Sequence, residues 1–161
     1  MSRTLVLLHH GDSTENGLYP SGVQEVRWVA DQLVKTGFQP DIILTPKARQ
    51  CVETAEIVSE AYAAAGKDVE LRVKEPLHWK SVANTLTNLT VQKNVLIVED
   101  SLRIENALMD FTPFRIPLLT PASGEAIFIS SERRDWASVV RTDTNKIIRT
   151  IDPSRADNLR L

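Results

Sequence analysis

The sequence predicts an α/β fold, a three-layer sandwich with a mostly parallel sheet, and three observations support this prediction. Short apolar runs at 4–8, 41–45 and 95–98 have the length and composition of buried strands. Segments with apolar residues at helical spacing lie between them, at 20–36, 48–64 and 81–89. Strands and helices therefore alternate along the chain, which is typical of a parallel sheet covered by helices on both faces.

The ends of the predicted helices carry recognisable start and stop signals. The first helix begins at Pro20, whose missing N–H costs nothing in a first turn, and ends at Gly37. The second helix runs from about Ala48 to Ala64 and is closed by Gly66. Two shorter helices are predicted at Ser81–Leu89 and Leu102–Phe111, followed by a proline-bearing loop at Thr112–Ser123.

The remaining strands are predicted from alternation and β-branched composition. They lie at Val69–Val73, Ala126–Ser130, Trp136–Arg141 and Lys146–Ile151, the last two joined as a hairpin around Asp143–Asn145. Residues from Asp152 onwards have no core pattern, so we expect a single domain at 1–152 and a C-terminal tail at 153–161.

Composition excludes several classes of protein. The net charge of −2 provides no basic surface for nucleic acid or for an anionic membrane. A single cysteine, Cys51, cannot form an internal disulfide and suits a reducing compartment. No apolar segment is long enough to span a bilayer, and the first apolar run is too short for a signal peptide. We therefore expect a soluble cytoplasmic protein that binds neither nucleic acid nor membrane.

Polar side chains follow three of the predicted strands, at 9–12, 45–50 and 99–101. The carboxyl ends of parallel strands meet at one edge of a sheet, where α/β proteins place their ligands. A neutral imidazole of His9 or His10 could attack phosphorus or act as a base there, and phosphoryl chemistry also needs cations. The alternative is that both histidines only form hydrogen bonds with the backbone of a loop.

Three motifs resemble those of one enzyme family. Residues 9–16 read His-His-Gly-Asp-Ser-Thr-Glu-Asn and resemble Arg-His-Gly followed by Glu/Asp-Ser/Thr-x-x-Asn. Residues 41–56 resemble Asp-x-Ile-Leu-Thr-Ser-Pro-x-x-Arg-Ala-x-Gln-Thr-Ala-Glu, and 95–100 resemble Val-Leu-x-Val-x-His. Together they resemble the histidine phosphatase superfamily, the phosphoglycerate mutase-like proteins, in which the small SixA-type phosphohistidine phosphatases are the most similar in length. The resemblance implies the phosphoglycerate mutase-like fold.

The resemblance also implies site residues. It places the nucleophile at His10 and contacts to phosphate at Gly11, Ser13 and Asn16. Asp12 is one candidate for the proton donor.

The departures from the family motifs fall on the central charged positions. His9 stands where the family has a phosphate-binding arginine, and Asp100 stands where it has a second histidine. Gln50 takes the position of the second arginine when the motif is aligned without gaps, whereas Arg49 takes that role if the turn contains a slip. Asp100 is the other candidate for the proton donor.

These departures lead to two hypotheses of function. Each lost charge-assisted contact to phosphate costs roughly 1.5–3 kcal/mol, and only Lys47, Arg49 and Arg103 could compensate nearby. The favoured hypothesis is a catalytically impaired family member, a pseudophosphatase, that binds a ligand or a protein at the former phosphate pocket. The alternative is an active phosphatase that uses His10 on a phosphohistidine, a phosphorylated small molecule or a phosphoprotein.

A metal site is a weaker alternative at the same edge. His9, His10, Glu99 and Asp100 include donors suited to a divalent transition metal, but their spacing is not that of a compact metal motif. We therefore expect no metal and no cofactor.

Overall fold

The computed structural model describes residues 4–73, 94–100, 102–104, 124, 126–130, 137–141 and 146–151. The predicted helix at 81–89, most of the one at 102–111, the loop at 112–123 and the tail at 153–161 lie outside these residues. The described helices are α1 (Pro20–Lys35) and α2 (Arg49–Ala64). The described strands are β1 (Thr4–His9), β2 (Ser13–Thr14), β3 (Gly17–Leu18), β4 (Ile42–Thr45), β5 (Glu70–Val73), β6 (Asn94–Glu99), β7 (Ala126–Ser130), β8 (Ala137–Arg141) and β9 (Lys146–Ile151).

Seven strands form the main sheet in the order β5-β4-β6-β1-β7-β8-β9. The four strands from β5 to β1 are parallel, whereas β7, β8 and β9 each run antiparallel to the preceding strand of the sheet. This arrangement confirms the predicted α/β fold with a mostly parallel sheet. The predicted pairing of the last two strands is also confirmed, because β8 and β9 are antiparallel neighbours.

The core lies on both faces of the sheet. One face contributes Val6 and Leu8 of β1 to a buried cluster with residues of α1 and α2, including Val26 and Val58. Leu7 points to the opposite face, because strand side chains alternate, and it is also buried. Parallel strands buried on both faces have the near-continuous apolar sequences seen here, so the core explains why the strand predictions at β1, β4 and β6 succeeded.

The loop after β1 is more ordered than the sequence predicted. β1 extends one residue further, to His9, and the segment expected as a plain loop contains the short hairpin β2–β3. Ser13 pairs with Leu18 and Thr14 pairs with Gly17, whose φ of +133° is accessible to glycine at little cost. The hairpin places residues 13–18 beside the end of β1. None of the described helices is long and apolar enough to cross a membrane.

Candidate active site

The ends of β1, β4 and β6 form one edge of the sheet, as the sequence predicted for their polar residues. β6 lies between β4 and β1 and is parallel to both. His9 is the register partner of Glu99, and the N–H of His10 donates to the Glu99 carbonyl at 3.2 Å. The polar residues that follow β1 and β6 are therefore immediate neighbours.

The peptide unit between His10 and Gly11 is held at both ends. Its carbonyl, that of His10, accepts hydrogen bonds from the Gly124 N–H at 3.1 Å and from His9 Nδ1 at 2.6 Å. Its N–H, that of Gly11, donates to Thr54 Oγ1 at 3.2 Å. Two distant segments, at Gly124 and Thr54, together with the neighbouring His9 side chain thus fix the backbone on which the His10 side chain stands.

The His10 imidazole is oriented by the following carbonyl. His10 Nδ1 lies 2.8 Å from the Gly11 carbonyl oxygen, and Ser13 Oγ lies 3.4 Å from the same nitrogen. A carbonyl can only accept, so Nδ1 carries the proton and the lone pair of the neutral ring is on Nε2. Nε2 is therefore the nitrogen that can act as a nucleophile or a base.

His9 does not supply the fixed positive charge of an arginine. Its ring is buried and stands at 46° to that of His10, with the ring centroids 4.3 Å apart. Burial lowers the pKa of His9 below its usual value of 6.5, although the hydrogen bond to the His10 carbonyl opposes this effect. At pH 7 the imidazole is therefore mainly neutral, and its Nδ1–H holds the backbone of the site.

Two glycines allow the loop after β1 to approach α1 closely. A Cβ added to Gly11 would lie 2.6 Å from Val26 Cγ2 and 2.8 Å from the Gly22 carbonyl oxygen. A Cβ added to Gly22 would collide with the backbone of Asp12. The Asp12 N–H donates to Glu25 Oε1 on α1 at 3.3 Å, so the loop is both packed and hydrogen-bonded against this helix.

The remaining predicted residues of this loop are more exposed. Asp12 is exposed, and its carbonyl accepts the Tyr19 N–H at 3.0 Å. Asn16 is exposed in the turn of the β2–β3 hairpin, where its N–H donates to Thr14 Oγ1 at 3.1 Å. The structure thus brings Ser13 to His10 and places Asn16 at the tip of the hairpin.

The start of α2 contains both candidates for the second phosphate-binding arginine position. The Arg49 side chain is 71% exposed, and its Nε donates to Glu53 Oε1 at 2.9 Å. The other oxygen of Glu53 accepts the Leu18 N–H at 3.1 Å, which connects α2 to β3. Gln50 is half-buried, and its carbonyl accepts a hydrogen bond from Thr54. The guanidinium of Arg49 is therefore bound by a carboxylate of its own helix.

The end of β6 brings two carboxyl groups to the edge. Asp100 Oδ1 accepts the Arg103 N–H at 2.9 Å, as a residue capping the start of a helix does. Glu99 is buried, and burial raises its pKa to about 7, against the opposing effect of the hydrogen bond from the Asp100 N–H. Arg103 Nη1 lies 3.4 Å from Glu99 Oε1, and its Nε lies 3.9 Å from Asp100 Oδ2. One guanidinium is therefore shared between two acidic side chains.

Comparisons with known proteins identify the fold. SixA from Agrobacterium tumefaciens superposes with a TM-score of 0.70 over 85% of this chain and 95% of that one, at 16% identity. The protein histidine phosphatase SixA bound to tungstate gives a TM-score of 0.66 over 95% of this chain and 99% of that one, at 15% identity. The chain has the histidine phosphatase fold. This confirms the resemblance seen in the motifs, as far as the fold is concerned.

The fold is also shared with a mycobacterial glucosyl-3-phosphoglycerate phosphatase, described in complex with VO3, at a TM-score of 0.64. That match covers 79% of this chain and 90% of the other, at 15% identity. No protein-family model and no curated protein sequence matches the chain. The histidine phosphatase fold is thus recognisable in structure at a sequence identity that family models do not detect.

The structure gives two residues of the site a role that the sequence does not predict. In the sequence, Glu99 is predicted only as one of the polar residues at 99–101 and as a possible metal donor, and Thr54 is predicted only as part of the second helix. A glutamate directly after a buried strand, and a threonine on the apolar face of α2 beside Cys51, Ala55 and Val58, are signals that could have identified them. Among the residues described here, no group of three or more His, Cys, Asp or Glu side chains is arranged to hold a metal ion.

Proposed function

We propose that the chain is a SixA-like member of the histidine phosphatase superfamily that has lost most of its phosphatase activity. In this proposal it binds a ligand or a protein partner at the edge where the family binds phosphate. The observation that carries the proposal is the charge around His10: His9 and Asp100 stand at the positions of a family arginine and a family histidine, and Gln50 stands at that of the second arginine when the motif is aligned without gaps.

The contacts of the neighbouring charged groups support this proposal. His9 is buried with a lowered pKa, and the guanidinium of Arg49 is paired with Glu53. Arg103 is paired with Glu99 and Asp100, so its charge is balanced by carboxyl groups at the same edge. Among the described residues, the guanidinium groups of Arg49 and Arg103 are therefore already paired with carboxyl groups before a phosphate dianion enters. Loss of a single group that stabilises the transition state typically lowers kcat by about a hundredfold or more.

One observation favours the alternative, an active phosphatase. The hydrogen bond from His10 Nδ1 to the Gly11 carbonyl leaves Nε2 in the form that attacks phosphorus. In this alternative, Nε2 bonds to phosphorus while the bond from phosphorus to the leaving atom breaks, and Asp12 or Asp100 gives that atom a proton; the leaving atom is the oxygen of a phosphomonoester or the nitrogen of a phosphohistidine. Water then hydrolyses the phosphohistidine. The substrate would be a phosphorylated small molecule or a phosphoprotein.

Phosphatase assays with a His10→Ala control distinguish the two functions. Purified protein should hydrolyse p-nitrophenyl phosphate and a phosphohistidine peptide no faster than His10→Ala does, with an active SixA assayed in parallel. A rate well above background that disappears in His10→Ala would overturn the proposal and establish the phosphatase. Circular dichroism of both proteins checks that the variant is folded.

A further inference from the structure

Thr54 links α2 to the loop that carries His10. Its side chain is completely buried, and its Oγ1 donates to the Gln50 carbonyl at 2.7 Å, four residues earlier in the helix. The same oxygen accepts the Gly11 N–H at 3.2 Å. The hydroxyl group of Thr54 therefore donates its proton within α2 and accepts a hydrogen bond from the loop through a lone pair.

The bond from Gly11 to Thr54 completes a set of contacts around two consecutive peptide units. The unit between His10 and Gly11 has its carbonyl bound by Gly124 and His9, so Thr54 supplies the partner for its N–H. The next unit presents the Gly11 carbonyl that accepts from His10 Nδ1. A rotation of the first unit would move this carbonyl, because both units share the Gly11 Cα.

We infer that Thr54 is a positioning residue that keeps the His10 imidazole in its Nδ1–H form by holding the Gly11 backbone. The inference concerns the same site as the proposed function. It rests on hydrogen bonds of the backbone and is independent of whether the site still hydrolyses phosphate.

The test is ¹⁵N NMR of the histidine side chains at a pH at which the rings are neutral. A His10→Gln variant assigns the His10 signals. The parent and Thr54→Ser, which keeps the hydroxyl group, should show Nδ1 protonated and Nε2 unprotonated. Thr54→Val has nearly the same shape but no acceptor for the Gly11 N–H. Its His10 signals should shift towards the Nε2–H form, which imidazole prefers when nothing restrains it.

Thr36→Val serves as the matched control. Thr36 is exposed at the end of α1, where its Oγ1 donates to the Leu33 carbonyl at 2.6 Å, so its loss removes a hydroxyl group far from His10. This variant should leave the His10 signals unchanged. A folded Thr54→Val protein with the ¹⁵N shifts of the parent would overturn the inference, and a shift of equal size in Thr36→Val would do the same.

A second measurement on the parent covers the case in which Thr54→Val does not fold. The Gly11 amide should exchange slowly with deuterium, because its N–H is buried and bonded to Thr54. Exchange at the rate of an open loop would overturn the inference without any variant. Phosphatase assays do not enter either measurement, so failure of this inference and failure of the proposed function are separate results.

Discussion

The two sides of the candidate active site differ in what holds them together. On the side of β1, the site is made from backbone hydrogen bonds and close packing: the His10–Gly11 peptide unit is bound at both ends, and Gly11 and Gly22 are in close contact. On the side of α2 and β6, the site is made from charged side chains. There Arg49 is bound to Glu53, and Arg103 is shared by two carboxyl groups.

The difference shows which part of such a site can change without loss of the fold. Backbone contacts and glycines determine where β1, α1 and α2 lie, so replacing them would disturb the core. The side chains of Arg49 and Asp100 at the edge are exposed, and exchanging exposed side chains changes the chemistry at small cost to folding. The orientation of His10 and the charge that surrounds it can therefore vary separately, which is what this chain shows.

The largest expected effect tests the charged side of the site, the side of α2 and β6. The triple variant His9→Arg, Gln50→Arg and Asp100→His should bind vanadate at least about a hundredfold more tightly than the parent, because each charge-assisted bond contributes about 1.5–3 kcal/mol. Isothermal titration calorimetry measures this change. Asp100 caps a helix, so a loss of stability of about 1 kcal/mol is expected as well.

A charge-matched variant controls for general attraction of the anion. The triple variant changes the formal charge by +3, and Gln24→Arg, Gln39→Arg and Asp68→Asn together make the same change at exposed positions and should leave vanadate affinity nearly unchanged. If the triple variant gains no more than this control, the three positions do not surround the anion, and the comparison between the two sides of the site is wrong.

The next effect concerns stability against pH and the buried Glu99 carboxyl. Its pKa rises from 4.5 in the unfolded chain to about 7, so the folded state holds the proton more tightly. The protonated carboxyl therefore stabilises the folded state below pH 4.5, and this stabilisation is lost as the pH rises through 7. The free energy of unfolding should decrease by about 3 kcal/mol over this range. Glu99→Gln should remove this decrease in urea titrations between about pH 5 and pH 8.

His9 and an exposed glutamate provide the comparison variants. Burial lowers the pKa of His9, so its contribution is present above pH 6.5 and is lost as the pH falls below it. His9→Asn should therefore change the slope of the free energy of unfolding against pH, and the change should be opposite in direction to that caused by Glu99→Gln. Glu70→Gln, on the exposed strand β5, controls for the general effect of removing a carboxyl group. A parent-like slope in Glu99→Gln would show that the carboxyl is ionised in the fold across this range.

A smaller effect tests the packed side of the site, where the loop after β1 lies against α1. Gly22→Ala should destabilise the protein by about 1–3 kcal/mol, because the new methyl group would collide with the backbone of Asp12. The helix propensity of alanine alone would instead predict that Gly22→Ala stabilises the protein by about 1 kcal/mol. The sign of the measured change in stability therefore shows whether the collision or the helix propensity dominates. Gly66→Ala has open space around its Cβ and a φ of +77°, and should cost only about 1–2 kcal/mol. Thermal denaturation of both variants gives the comparison.

The sequence predicted the fold well because its signals were local. The apolar runs of β1, β4 and β6 are buried on both faces, and the ends of α1 and α2 carry proline or glycine, so pattern and structure agree. The hairpin β2–β3 was missed, because strands of two residues are too short to show alternation.

The site was less predictable because its contacts join distant parts of the chain. The motifs predict His10 at the edge, but they do not indicate that Thr54, 43 residues after Gly11, accepts a hydrogen bond from the Gly11 N–H. The raised pKa of Glu99 also depends on burial, which a single residue at the end of a strand does not show. The roles of the predicted site residues in binding phosphate stay predictions.

The smallest expected effect decides between Arg49 and Gln50 at the second arginine position. Arg49→Ala, made in the triple variant, should change vanadate affinity by less than about twofold, because its exposed guanidinium is held by Glu53 and exposed ion pairs contribute only about 0.2–1 kcal/mol. Lys35→Ala, which breaks the exposed pair with Asp31 on α1, is the matched control. A loss of about tenfold or more, equivalent to about 1.4 kcal/mol, would mean that Arg49 leaves Glu53 to bind the anion. The charged side of the site would then retain one phosphate-binding arginine, and the case for lost catalysis would be weaker by that contact.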